Sequence, residues 1–94
     1  DKFRDEGKFE EAVEKLQEGL KEDAGHVLCH LALSKNLMML GKYPEAIEYG
    51  KKAIELEPDS VFNYTALSVV YQKSGMIPEA EDMLEKARQL SSQG

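Results

Sequence analysis

The chain has 94 residues, 41% hydrophobic and 32% charged, with a formal net charge of −6. That length and composition suit one soluble globular domain, and no apolar run approaches the roughly 20 residues needed to span a bilayer, so membrane insertion is not expected. Nucleic acid is disfavoured as well, because its phosphates call for a basic stripe, and the longest basic run, Lys51-Lys52, sits among Glu45, Glu48, Glu55 and Glu57.

In chain order, apolar residues recurring at helical spacing predict helices over roughly 2–6, 10–22, 27–40, 44–57, 61–74 and 78–91. The recurrence is carried by Val13, Leu16 and Leu20, then by Ile47, Ala53, Ile54 and Leu56, then by Leu67, Val70 and Tyr71. The first stretch is the most acidic, with nine acids against five bases over residues 1–26. A basic partner is favoured by that imbalance, against the plainer reading of a solvated face. The chain opens at Asp1 in charged sequence, where no signal peptide is visible. Cys29 is the single cysteine, so no intrachain disulfide can form. A reducing compartment is compatible with that, and the cytoplasm is the expected location.

The breaks between helices are periodic. Gly7, Gly41 and Gly75 stand 34 residues apart, as do Glu11, Glu45 and Glu79, and Ala12, Ala46 and Ala80; the local strings are GKFEEA, GKYPEA and GMIPEA. A glycine where helical periodicity stops fits a C′ position, where a left-handed backbone costs least. Pro44 and Pro78 suit the first turn of the helix that follows, and Pro58 closes the second helix of its unit. The Phe9, Tyr43 and Ile77 column sets a large apolar group at each corner. The alanine columns, joined by Gly19, Ala53 and Ala87, allow close helix approach. Short loops make successive helices antiparallel neighbours, which makes the protein all-α.

These columns resemble the tetratricopeptide repeat. The block from Val27 to Ser60 carries Leu33, Ser34, Leu37, Gly41, Tyr43, Ala46, Ala53 and Pro58 in the family's signature positions. Residues 61–94 repeat it through Tyr64, Leu67, Ser68, Tyr71, Gly75, Ala80, Leu84 and Ala87, and residues 1–26 resemble the tail of an earlier copy. The resemblance implies a right-handed α-solenoid of antiparallel helical hairpins, about two and a half 34-residue repeats, forming one domain over 1–94 (1–26 partial, 27–60 complete, 61–94 terminal). Three positions depart from the pattern. His30 stands where the family favours an aromatic, Gly50 replaces a large residue, and Ser92 replaces the terminal proline.

Both ends carry expectations. The first unit lacks most of its leading helix, which predicts exposed apolar surface there and an origin as part of a longer protein. At the other end Glu81 and Arg88 occupy columns held by Val13 and Ile47 and by Leu20 and Ile54, so the face that would meet a further hairpin is solvated. The array is expected to end near Leu90, with Ser91–Gly94 as a frayed tail.

Little in the chain points to chemistry. His26, Cys29 and His30 have the i, i+3, i+4 spacing of ligands on one helical face, but no clear fourth ligand accompanies them. Packing within the hairpin is the better reading, so no metal and no cofactor are expected. The sequence has no nucleophile elbow, no phosphate-cradling glycine loop and no spacing that marks a Ser–His–Asp set. Glu10-Glu11 and Glu81-Asp82 lie at expected helix starts, where acids favour the macrodipole. An enzyme is not expected.

The resemblance implies instead a concave groove lined by the first helix of each hairpin. Its inward columns here are Leu28, Leu31, Lys35 and Met38, then Phe62, Thr65, Val69 and Gln72. Half or more of these are apolar, as suits a surface that meets another protein. Some relatives grip the C-terminal carboxylate of cytosolic heat-shock chaperones with Lys, Asn and Arg. The comparable columns here hold Asp1, Ala32, Phe62 and Ala66, which cannot form that anion site. The leading expectation is an adaptor or scaffold that binds a peptide or helix segment of another protein in this groove. The alternatives are a homo-oligomer formed through the N-terminal end, with Phe3 and Phe9 buried between chains, and a regulatory or docking arm of a larger enzyme.

Overall fold

The computed structural model describes the backbone of residues 2–93 and the side chains of residues 7–93. Among these residues five helices follow one another: α1 (Lys2–Glu22), α2 (Val27–Met39), α3 (Tyr43–Leu56), α4 (Val61–Lys73) and α5 (Ile77–Gln93). Each packs on the next in sequence, and α2 also touches α4. Among the described residues the backbones of α1, α3 and α5 do not approach one another in this way. Two helices therefore form a closely paired inner layer and three form a splayed outer layer, which curves the array with α2 and α4 on the concave side. This is an all-α solenoid of helical hairpins.

Two of the three periodic glycines end helices as expected. Gly41 and Gly75 have φ of 78° and 85°. Gly41 N–H donates to the Met38 carbonyl and Lys42 N–H to that of Leu37, and Gly75 and Met76 make the matching bonds to Gln72 and Tyr71. These paired bonds satisfy carbonyls that the helix leaves open, as in a Schellman motif.

Gly7 corrects the expectation. No break separates residues 2–6 from 10–22; α1 runs through Gly7 without a left-handed residue. The third residue after Gly41 or Gly75 is a proline, whose ring would clash with the carbonyl four residues back if the preceding helix continued, whereas the third residue after Gly7 is Glu10. Nothing local forces the chain to turn there. The other end is corrected too, because α5 stays helical through Ser91, Ser92 and Gln93. Ser92 stands in the Pro58 column and keeps the N–H that a proline would lack. Gly94 and Asp1 lie outside the described residues, as do the side chain of Phe3 and the expectations that rest on them.

The core follows the repeat columns. Leu33, Leu37 and Leu67 are buried, as are the alanines at 46, 53, 80 and 87. Full burial of each leucine is worth about 1.5–3 kcal/mol. Ser34 Oγ donates to the Ala46 carbonyl at 2.7 Å, so α2 and α3 meet nearly backbone to backbone. Asn63 is buried at the α3–α4 corner, where Nδ2 donates to the carbonyls of Ala53 and Glu57, each at 3.1 Å. On the outer face of α5, Glu81 and Arg88 are exposed. Arg88 pairs with Glu85, and its hydrogen bond and charge hold that carboxyl below the usual carboxylate range. An exposed pair of this kind adds little to stability.

Candidate functional site

The His26, Cys29, His30 cluster resolves through the repeat itself. His26 shares a column with Ser60, and both cap a helix: His26 Nδ1 accepts from the Cys29 N–H at 3.2 Å, and Ser60 Oγ from the Asn63 N–H at 3.4 Å. His30 shares a column with Tyr64. His30 Nε2 donates to the Ala24 carbonyl at 2.8 Å, and Tyr64 Oη to the Pro58 carbonyl at the same distance, again in matching columns. A carbonyl can only accept, so the proton of His30 sits on Nε2. Its ring lies 5.9 Å from that of Tyr49. Both histidines thus bind the backbone at the places where the next repeat uses Ser and Tyr. Cys29 is half-buried beneath α1, with its sulfur near Gly19.

The concave side carries a more open feature. Between α2 and α4 lies a slot of about 220 Å³, lined by Leu31, Ser34, Lys35 and Met38 from one helix and by Phe62, Ala66, Val69 and Val70 from the other. Ser34 and Val70 are buried and form its floor, while Phe62 stands 65% exposed and Val69 39% exposed on its rim. Leu28, in the same column as Phe62, is 68% exposed and continues the apolar rim along α2. The lining is apolar apart from the Ser34 hydroxyl and the Lys35 ammonium.

Of the eight residues expected in a groove, the structure gathers Leu31, Lys35, Met38, Phe62 and Val69 around this slot. Leu28, Thr65 and Gln72 are exposed outside its lining, and Thr65 Oγ1 bonds back to the Val61 carbonyl of its own helix. Met38 also packs against the core, so only part of it faces the groove. Ser34, Ala66 and Val70 also line the slot and were not among the eight residues expected there. Ala66 and Val70 follow Phe62 at spacings of four and eight, which places them on its side of α4, but their role depends on how closely α2 and α4 approach.

The slot is smaller than the roughly 300–1,000 Å³ of small-molecule pockets. It is sized for protruding side chains rather than for enclosing a metabolite. Among the described residues no group of three or more His, Cys, Asp or Glu could hold a metal ion, and no helix is long and apolar enough to cross a membrane.

Solved structures share this architecture. A crystal structure of MamA superposes with a TM-score of 0.83 at 21% identity, covering 92% of this chain and 50% of that one, a likeness that shows the fold alone. A structure designated MamA MSR-1 C2 gives 0.84 at 27% identity, over 92% of this chain and 49% of that one. The chain thus spans about half the length of these MamA chains. The second TPR of Spaghetti (RPAP3), bound to the HSP90 peptide SRMEEVD, gives 0.79 at 25% identity, over 94% of this chain and 82% of that one. No curated protein sequence matches significantly. The profile described as tetratricopeptide repeat matches residues 3–59, more than half of the sequence, and the chain belongs to the tetratricopeptide repeat family.

Proposed function

We propose that this domain is a non-catalytic adaptor that holds a peptide or helical segment of another protein in the groove between α2 and α4. The observation that carries the reading is the slot itself, where Leu31, Met38, Phe62, Ala66 and Val69 present apolar surface to solvent on a two-helix base. Phe62 and Leu28 are large and mostly exposed, although α4 and α2 have buried faces available for such residues. A repeated apolar rim of this kind suits burial against a partner.

The RPAP3 domain with its bound peptide supports a protein ligand in general. The manner of binding would differ, because Ala32, Phe62 and Ala66 offer no group to hold a terminal carboxylate. At about 25 cal/mol per Å² of apolar area, covering the slot and rim suits micromolar affinity once the cost of association is subtracted.

The test is capture from lysate of the source cell by the wild type and by a Phe62→Ala/Val69→Ala variant, with bound proteins quantified by mass spectrometry and the affinity of any partner then measured directly. Both side chains are substantially exposed, so the variant should keep its fold, which circular dichroism will verify. We expect the partner's affinity to fall at least about tenfold, the scale of a truncated interface anchor. Equal affinity for both proteins would move the function to the outer face or to an end of the array.

A further inference from the structure

Resting on that reading, we propose that the groove selects an acidic segment: apolar side chains enter the slot while an internal Asp or Glu side chain of the partner lies against Lys35. The reason is how charge divides between the two layers. The inner helices α2 and α4 contain no Asp or Glu, and their only Lys or Arg residues are Lys35 and Lys73. Aspartates and glutamates among the described residues belong to α1, α3, α5 and the loops. On the outer helices some basic groups are already matched, as Lys52 is with Glu55 and Arg88 with Glu85. Lys35 and Lys73 have no carboxylate partner among the described residues.

The chain's total charge points the other way, since −6 would draw a basic partner. The local field decides at the groove. Packed helix layers lie about 8–10 Å apart, comparable to the Debye length of about 8 Å at physiological salt, so acids on the outward faces of the outer helices are largely screened from the groove. Lys35 is part of the slot lining, beside apolar walls that weaken screening. A partner carrying Lys or Arg at this place would meet like charge and no carboxylate. One carrying Asp or Glu gains a charge partner without disturbing an existing ion pair.

The test is selection of displayed random peptides of about a dozen residues on the immobilised wild-type domain. Selected sequences are then synthesised with amidated C-termini and their affinities measured by fluorescence anisotropy. Expected are peptides that combine apolar residues with an excess of Asp and Glu. Lys35→Glu should weaken them about tenfold and Lys35→Met about threefold, in keeping with a charge pair at a partly exposed rim. Changing the peptide's acid to Lys should restore binding to the Lys35→Glu variant. Peptides that bind Lys35→Glu as well as wild type, show no acidic excess or need a free C-terminus overturn this inference. If those same peptides still lose affinity in Phe62→Ala/Val69→Ala, the groove reading survives alone. Peptides indifferent to that double variant, or no selection at all, overturn both.

Discussion

Replacing Leu67 with Ala should lower the unfolding free energy by about 3–4 kcal/mol and the melting temperature by more than about 10 °C. Leu67 is 1% exposed and belongs to the central cluster with Leu37, Ala46, Val70, Tyr71 and Ala80. On the α3 side its neighbours offer little means of filling the space it would leave. Ala46 is already short, and Gly50, which faces the Leu67 Cδ1 methyl group, has no side chain to move inward. The cavity would remain open, and large-to-small changes are costliest where the site cannot collapse. Total stability for a domain of this size is about 5–15 kcal/mol, so the variant should stay folded at low temperature but melt early. Chemical denaturation followed by circular dichroism will measure it. A loss below about 1 kcal/mol would mean that α3 can settle onto α4 and that the interface is not rigid.

Gly50→Val tests the same contact from the other side and should cost about 3 kcal/mol. A Cβ at Gly50 would lie 2.8 Å from Leu67 Cδ1 and 3.4 Å from Ser34 Oγ. Neither neighbour is free to give way: Leu67 is enclosed, and the Ser34 hydroxyl is held by the Ala46 carbonyl. Alanine would recover up to about 1 kcal/mol of helix propensity against that crowding, whereas valine adds two methyl groups that have no space. Gly19→Ala is the control. There a Cβ would meet only the Cys29 sulfur at 3.8 Å, an ordinary contact, so the propensity gain should appear as about 0.5–1 kcal/mol of added stability. Thermal melts of the two variants side by side should move in opposite directions. A Gly50→Val protein as stable as wild type would show that the close approach of α3 to Leu67 is not obligatory.

This pair also shows where sequence reading runs out. Gly41 and Gly75 were legible because a glycine followed by a proline three residues later states its backbone conformation locally. Gly7 shares the column and misled, since the turn depends on that proline as much as on the glycine, and Glu10 does not supply it. Gly50 appeared only as a departure from the family pattern. Its meaning lies in Leu67, which occupies the space a larger residue would have used, and no local pattern links two positions on different helices. His30 was similar: its column favours an aromatic, yet its Nε2 makes the same turn-closing bond as the Tyr64 hydroxyl. In the groove, the family resemblance implied which sides of α2 and α4 face inward. It could not give the slot's ends, which exclude Leu28, Thr65 and Gln72, or its floor, where Ser34 and Val70 are buried.

Because each helix packs on its successor, and among the described residues the one further pairing joins α2 to α4, their contacts close loops of at most about one repeat plus a helix. The entropy of closure therefore stays nearly constant however many hairpins are strung together. Folding can start at whichever hairpin forms first and spread in either direction, without a distant strand or terminus having to arrive. The same locality lets a hairpin be duplicated or lost in evolution while the remaining interfaces keep their geometry, so the length of the array and the character of its groove can change independently.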